Sequence, residues 1–140
     1  MKTDEMVEDY LFRAKWCLKE AEMALSGENY PMCVRRSQEA LELVVKSLLR
    51  SSAIEYPREH DVGDALSYIE EKLPDSLRSE ITSLKRLLTE LSRIRGPAFY
   101  GYERQGIPAS EAFSKEYASS TFKEVSRLVN QCAKYLEETM

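Results

Sequence analysis

Residues 75–94 read DSLRSEITSLKRLLTELSRI, and this stretch carries the clearest apolar pattern of the chain. Its apolar residues recur every three or four positions, and the ones that share this face are Leu77, Ile81, Leu84, Leu88 and Leu91. That spacing matches the 3.6-residue turn of an α-helix, so it predicts a helix with one face against a core. Pro74 opens the segment, which we expect to be helical over Asp75–Ile94.

The rest of the chain repeats this pattern. Gly27 follows the first apolar run, Pro31 lies in the first turn of the second, and Ser114 is a suitable N-cap for the last. The predicted helices run over Asp4–Ser26, Tyr30–Ser51, Asp61–Lys72 and Ser114–Glu138. β-branched residues alternate over no useful length, so no strand is expected. These segments predict an all-α fold, an antiparallel up-down bundle of four main helices plus a short additional helix, in one domain over residues 1–140.

Composition narrows the class of protein. The chain has 140 residues, of which 43% are hydrophobic and 31% charged, and its net charge is −4. No apolar run is long enough for a membrane span, and the N-terminus has no apolar signal core, so a cytoplasmic protein is expected. The net charge argues against a surface coated with phosphate-binding groups, although it leaves room for a small basic site. Cys17, Cys33 and Cys132 lie in apolar helical patterns, which predicts buried thiols, and they lack the close pairing of a zinc site. No cofactor is expected.

The segment from Arg95 to Phe113 interrupts the helical pattern. It begins Arg95-Gly-Pro-Ala-Phe-Tyr-Gly-Tyr102 and holds three of the five glycines and two of the five prolines. A loop of this length in a compact domain is usually functional or disordered, so we expect it to present side chains to a ligand.

Two interpretations of these side chains stay open. Arg95 either caps the end of the preceding helix or presents its planar guanidinium to a phosphate. Tyr100 and Tyr102 either pack the loop onto the bundle or stack on a nucleotide base. Arg93 and Arg104 either widen a basic patch or are solvated surface charges.

Three segments together resemble the HEPN superfamily of small all-α proteins, in its short archaeal and bacterial branch. The first is Arg35-Arg36-Ser37-Gln38-Glu39-Ala40-Leu41-Glu42, continued by Lys46-Ser47-Leu48-Leu49. The second is Glu59-His60-Asp61 with Leu66, and the third is Phe99-Tyr100-Gly101-Tyr102-Glu103 with Gly106-Ile107-Pro108. The resemblance covers nearly the whole chain.

The resemblance implies a nucleotide- or RNA-related role and a possible partner. Family members often act as metal-independent ribonucleases that pair an Arg with a His a few residues later. Arg95 matches that Arg, but Tyr100 stands where the His would be, and a phenol is a poor base at neutral pH. Members of this branch are often paired with a minimal nucleotidyltransferase, which makes Tyr102 a candidate for modification by a nucleotide.

The same resemblance implies a role for the second helix. Gln38 and Glu42 would point toward the groove that holds Arg95, and the carboxylate would orient the guanidinium. From the residues alone, Glu42 and Lys46 are equally well explained as an exposed pair one helical turn apart. His60 next to Asp61 is better explained as a helix start than as a catalytic group.

These observations favour a protein that binds a nucleotide, RNA or its partner through the Arg95–Tyr102 segment without turnover. One alternative is a ribonuclease toxin that retains Arg95 and has lost the usual His. Another is a bundle that serves only as an interaction scaffold. Apolar residues off the main stripes predict a homodimer, and they include Trp16, Met23, Met32 and Leu43.

Overall fold

The computed structural model describes residues 2–52 and 63–139, and within these ranges it is a bundle of helices without a strand. Its α-helices are α1 (Lys2–Ser26), α2 (Tyr30–Ser51), α3 (Asp75–Arg78), α4 (Ile81–Tyr100), α5 (Ala109–Ala112) and α6 (Lys115–Thr139). Short 3₁₀ helices cover Asp64–Tyr68, Glu70–Lys72 and Glu103–Gln105. The predicted all-α fold is confirmed.

The turn between α1 and α2 follows from its local sequence. The Asn29 side chain accepts a hydrogen bond from the Met32 amide at 3.3 Å, so it caps α2, and Pro31 lies in the first turn. Glu28 takes a left-handed conformation with φ of 61°. The predicted bounds of α2 are therefore confirmed, and α6 begins where expected, since Ser114 Oγ accepts from the Tyr117 amide at 3.0 Å.

Consecutive long helices run antiparallel. The Ser47 hydroxyl near the end of α2 donates to the Val7 carbonyl near the start of α1 at 3.1 Å. Arg35 near the start of α2 reaches Arg95 near the end of α4. The apolar faces of these helices meet in one core, whose largest fully buried side chains include Leu41, Leu48, Leu49, Leu84, Leu91, Leu128 and Leu136.

The segment before α4 differs from the prediction. The helix expected over Asp75–Ile94 is divided into α3 and α4 by Ser79 and Glu80, and the helix expected over Asp61–Lys72 consists, in its described part, of two 3₁₀ helices. The Arg78 side chain donates to the carbonyls of Glu70, Glu71 and Leu73, which stabilises this short connection in place of a longer helix.

The predicted loop is also wrong in its first third. α4 continues through Gly96 and Pro97 to Tyr100, and α5 occupies part of the remaining segment. Inside a helix, proline loses one backbone hydrogen bond and its ring crowds the carbonyl four residues earlier. Its Cδ also crowds the Cβ of the preceding residue, and this last clash is avoided here because Gly96 has no Cβ. Arg35 of α2 donates to the Arg95 carbonyl in this part of the helix.

None of the helices in the described part of the chain is long and apolar enough to cross a membrane.

Candidate functional site

The end of α4 and the start of α2 form a surface groove of about 460 Å³, which we call the Arg95 groove. Its lining consists of Arg35, Ser92, Arg95, Gly96, Phe99 and Tyr100. Arg95 is half-buried and the rings of Phe99 and Tyr100 are 55% and 65% exposed. A concave surface with cations and exposed rings is suited to a ligand that has both a negative charge and a flat face.

Arg35 joins the two walls of the Arg95 groove. Its Nη1 donates to the Arg95 carbonyl oxygen at 3.4 Å, and its guanidinium carbon lies 4.5 Å from the centre of the Phe99 ring. Its Nε lies 3.5 Å from Glu39 Oε1, a carboxylate that Arg36 also contacts at 3.0 Å. Two guanidinium groups therefore share one carboxylate beside the groove, and Arg36 also lies 3.5 Å from Glu20.

The aromatic side of the groove is a pair of neighbouring rings. The centroids of Phe99 and Tyr100 lie 4.6 Å apart, with their planes inclined by 59°. Both rings are mostly exposed although they lie at the end of a helix whose first half packs its apolar side chains into the core. Exposed rings of this kind are available for stacking on a planar ligand.

Beyond α4 the chain turns back in a short hairpin. The Tyr102 amide donates to the Ile107 carbonyl at 2.8 Å, and the Ile107 amide donates to the Tyr102 carbonyl at 3.1 Å. Gly101 before it has φ of 75° and ψ of −166°, a conformation that essentially only glycine adopts. We call residues 102–107 the Tyr102 hairpin. It places Tyr102 on the outside of the bundle, with 40% of its surface exposed.

Tyr117 and Glu90 form a polar contact between α6 and α4. The Tyr117 hydroxyl donates to Glu90 Oε2 at 2.7 Å. Burial raises the pKa of the Tyr117 hydroxyl well above its usual range, and the bond to Glu90 and the charge of Glu90 raise it further. Tyr102 makes a smaller contribution in the same direction. Tyr117 is therefore a hydrogen-bond donor that keeps its proton.

The Gln38 face of α2 is buried. Gln38 and Glu42 are 4% and 8% exposed, and Gln38 Nε2 donates to Glu42 Oε2 at 2.7 Å. Lys46 Nζ lies 3.2 Å from Glu42 Oε1. Glu42 and Lys46 are thus in a mostly buried network, so the interpretation as an exposed surface pair is wrong.

The structure brings only part of the predicted site together. Arg95 and Tyr100 line one groove, whereas Gln38, Glu42 and Tyr102 are not among the described residues that line it. Arg93 and Arg104 are exposed. His60 and Asp61 lie outside the described residues.

Two lining residues were missed as candidates from the sequence. Arg35 lies one turn before Gln38 on the same helix face, and Phe99 lies one turn after Arg95 if the helix is continued. The continuation of α4 through Pro97 was the missing signal, because a loop gives no fixed spacing between Arg95 and Phe99.

A comparison with known families identifies the family of the chain. The chain matches the HEPN domain over residues 7–136, which includes both walls of the Arg95 groove. The protein belongs to the HEPN family. No curated protein and no solved structure matches it. Membership in the HEPN family is consistent with a function related to nucleotides or RNA.

Proposed function

We propose that this HEPN protein binds a nucleotide or single-stranded RNA in the Arg95 groove and does not cleave it. The observation that carries the proposal is the meeting of two arginines and two exposed aromatic rings around one groove of about 460 Å³. Arg35 and Arg95 are in place for a phosphate, because a guanidinium can offer two parallel N–H groups to two oxygens.

The two exposed rings would contact the base of the ligand. Phe99 and Tyr100 are exposed next to the arginines, and base stacking on such rings is tolerant of sequence because every base has a flat face. A groove of this composition therefore favours phosphate plus base and not an inorganic anion alone.

The absence of turnover is argued from the chemistry of position 100. A ribonuclease that works without a metal needs a group that gives and takes protons near neutral pH, for which imidazole is suited and a phenol is not. Tyr100 occupies the position at which the family's ribonucleases carry a histidine. Its exposed ring is explained by stacking without any catalytic step.

Binding is tested by titrating a fluorescein-labelled single-stranded RNA with the protein and following fluorescence anisotropy, with AMP as a competitor. Wild type should saturate, and Arg95→Ala should weaken binding at least about tenfold, since a bond to a charged group contributes about 1.5–3 kcal/mol. Arg104→Ala is the matched control, because Arg104 is an exposed arginine outside the groove.

Salt dependence provides a second readout. If Arg35 and Arg95 each neutralise one phosphate, log K against log salt should have a slope of about −1.4, and Arg95→Ala should make it less negative by about 0.7. Saturation that is unchanged in Arg95→Ala and Phe99→Ala would refute the groove. RNA cleavage in EDTA by wild type but not by Arg95→Ala would replace the proposal with a ribonuclease.

The proposal extends to a two-component module with a minimal nucleotidyltransferase. Tyr102 supports this extension because it lies exposed on a hairpin held by Gly101, where another protein could reach its hydroxyl. Incubation with a nucleotidyltransferase encoded beside this chain and ATP should add a nucleotide to Tyr102, as detected by peptide mass spectrometry, and Tyr102→Phe should prevent it. An unmodified Tyr102 peptide would remove this extension and leave the groove untouched.

A homodimer belongs to the same proposal, since HEPN domains often form dimers.

A further inference from the structure

The outer face of α1 exposes large apolar side chains that the bundle does not use. Phe12, Trp16 and Met23 are 61%, 49% and 75% exposed, while the opposite face of α1 packs into the core. Met32 and Leu43, which the sequence also left off the main stripes, are half-buried. Three large apolar residues in a line on an otherwise charged helix indicate an interaction surface.

The spacing of this line is that of a coiled coil. Phe12, Trp16, Lys19 and Met23 are separated by four, three and four residues, which is the alternation of d and a positions in a heptad. Lys19 belongs to the line, because its ammonium lies 4.7 Å from the centre of the Trp16 ring. The b, c and f positions of the same heptad, which include Ala14, Cys17, Leu18 and Ala21, are the ones buried in the bundle.

The flanks of the line are charged and exposed. The e positions are Arg13 and Glu20, and the g positions are Lys15 and Glu22. Each flank therefore carries one basic and one acidic residue, seven positions apart. When a second copy of the helix runs antiparallel to the first, the basic residue of each flank meets the acidic residue of the same flank on the other copy.

We propose that α1 pairs with α1 of a second copy in an antiparallel seam about a two-fold axis. In antiparallel pairs, a positions face d positions. Phe12 then faces Met23 of the second copy, and Trp16 faces Lys19 of the second copy. The ammonium that lies over one indole in the single chain gains a second indole as a neighbour.

The flanking charges fit the same register. In an antiparallel pair, g faces g and e faces e, so Lys15 faces Glu22 of the second copy and Arg13 faces Glu20 of the second copy. The two-fold axis repeats each contact, and all the resulting contacts join opposite charges.

Existing ion pairs become parts of small networks in this arrangement. Lys15 already contacts Glu137, and Arg13 lies 2.9 Å from Asp9, so each cation would lie between two carboxylates. Glu20 already lies 3.5 Å from Arg36. Glu22 makes no ion pair among the described residues, so Lys15 of a second copy offers it one.

A parallel pair is less favourable for the same residues. It would place Lys19 opposite Lys19 and Asp9 opposite Asp9, and like charges in a seam repel. The antiparallel register replaces both contacts, because Lys19 faces Trp16 and Asp9 faces Ser26. The sequence of α1 thus selects the direction of pairing as well as the surface.

The inference rests on the homodimer of the proposed function and not on ligand binding. It is tested by sedimentation equilibrium of the full chain over a range of protein concentrations. The seam is short, so we expect a dimer of modest affinity, with a mass approaching twice the chain mass of 16.1 kDa at high concentration. Trp16→Glu should raise the dissociation constant at least about thirtyfold, as expected for a central aromatic anchor.

Charge exchange tests the direction of the helices. Lys15→Glu should weaken the dimer, and adding Glu22→Lys should restore it, because the exchanged pair is again opposite in the antiparallel register. A parallel seam would instead be restored by Lys15→Glu with Glu20→Lys, since g then faces e. Glu8→Lys is the matched control, because in the antiparallel register the position opposite Glu8 lies beyond the end of α1 at Ser26.

The results of these experiments distinguish the α1 seam from the homodimer on which it rests. A mass of one chain at every concentration overturns both the homodimer and the α1 seam. A dimer that Trp16→Glu and Lys15→Glu leave unchanged keeps the homodimer and overturns the α1 seam. All these side chains are exposed, and circular dichroism of each variant checks that the fold is intact.

Discussion

The two halves of α4 show how one helix can serve two purposes. From Ile81 to Leu91 its apolar stripe is buried in the core, whereas beyond Leu91 only Ala98 is buried and the rings of Phe99 and Tyr100 face outward. The first half is held by packing. The second half is contacted by a guanidinium from α2 and is followed by the Tyr102 hairpin, and its Phe99 and Tyr100 rings are exposed.

Because packing holds the first half of α4, we expect the largest loss of stability from a substitution there. Leu84 is fully buried, so Leu84→Ala should lower the free energy of unfolding by about 2–5 kcal/mol through lost burial and the cavity left behind. Urea denaturation followed by circular dichroism measures this loss. The RNA affinity of the folded fraction should not change. A loss of unfolding free energy below about 1 kcal/mol would show that packing of the first half does not hold α4 in the bundle.

The junction after the second half should be the next most sensitive position. A Cβ at Gly101 would overlap the Ile107 carbonyl oxygen and lie 2.7 Å from the Ala109 nitrogen, both backbone atoms that cannot move aside cheaply. Gly101→Ala should lose about 1–3 kcal/mol of unfolding free energy and weaken RNA binding together with it.

Gly106→Ala is the control for Gly101→Ala in the same denaturation experiment. Gly106 also has a positive φ, of 67°, but nothing lies near its Cβ position. We expect a loss of only roughly 1 kcal/mol, from backbone strain without a clash. Equal losses at the two glycines would mean that close packing of the hairpin against α5 does not hold the end of α4.

Alkaline pH tests the core through the buried thiol of Cys132. Burial raises the pKa of the Cys132 thiol to about 12, and the charge of Glu80 adds to this. Because the folded-state pKa is raised, the thiol's contribution to stability is complete below the unfolded pKa near 9 and is lost as pH rises toward 12. Within that window one thiol should reduce the unfolding free energy by about 1.4 kcal/mol per pH unit.

Denaturation of wild type and Cys132→Ala at pH 8, 9 and 10 isolates this contribution, because the other titrating groups are common to both. The variant should show the shallower loss of stability with pH. Parallel slopes would mean that the thiol ionises equally well in the folded bundle.

The smallest effect on stability belongs to the second half. Phe99 is more than half exposed, so Phe99→Ala should change the unfolding free energy by less than about 0.5 kcal/mol. If its ring stacks on a base, the same change should reduce RNA binding by about 1–3 kcal/mol. Denaturation and anisotropy together should show the opposite result from Leu84→Ala, which lowers stability and leaves RNA affinity unchanged. A large loss of stability in Phe99→Ala would contradict the difference between the two halves of α4.

Much of the fold could be predicted because it follows from short-range pattern. The bounds of α2 and the capped start of α6 were predicted from Pro31, Ser114 and the apolar spacing, all of which act within one or two turns. The continuation of α4 could not be predicted in this way. Arg35, which lies 60 residues away in sequence, contacts this part of the helix, and a short-range pattern does not reveal such a contact.

The residues of the candidate site divide in the same way, into those that the local sequence predicts and those that only tertiary contacts reveal. Arg95 and Tyr100 were recognised as candidates because they stand in an unusual stretch, but Arg35 and Phe99 become candidates only when α2 and α4 lie side by side. Gln38 and Glu42 were predicted to point toward the groove that holds Arg95, and the structure shows that both are buried and bonded to each other.

Residues within a few turns of one another are enough for the all-α class, the capped start of α6 and the charge pattern along α1, so these features could be predicted from the sequence. Only the tertiary structure decided that α4 passes through Pro97, that Arg35 meets Phe99, and that Phe12, Trp16 and Met23 stay outside. These outcomes depend on which helices become neighbours, and the free energy that selects neighbours comes from burying apolar faces of segments far apart in the chain.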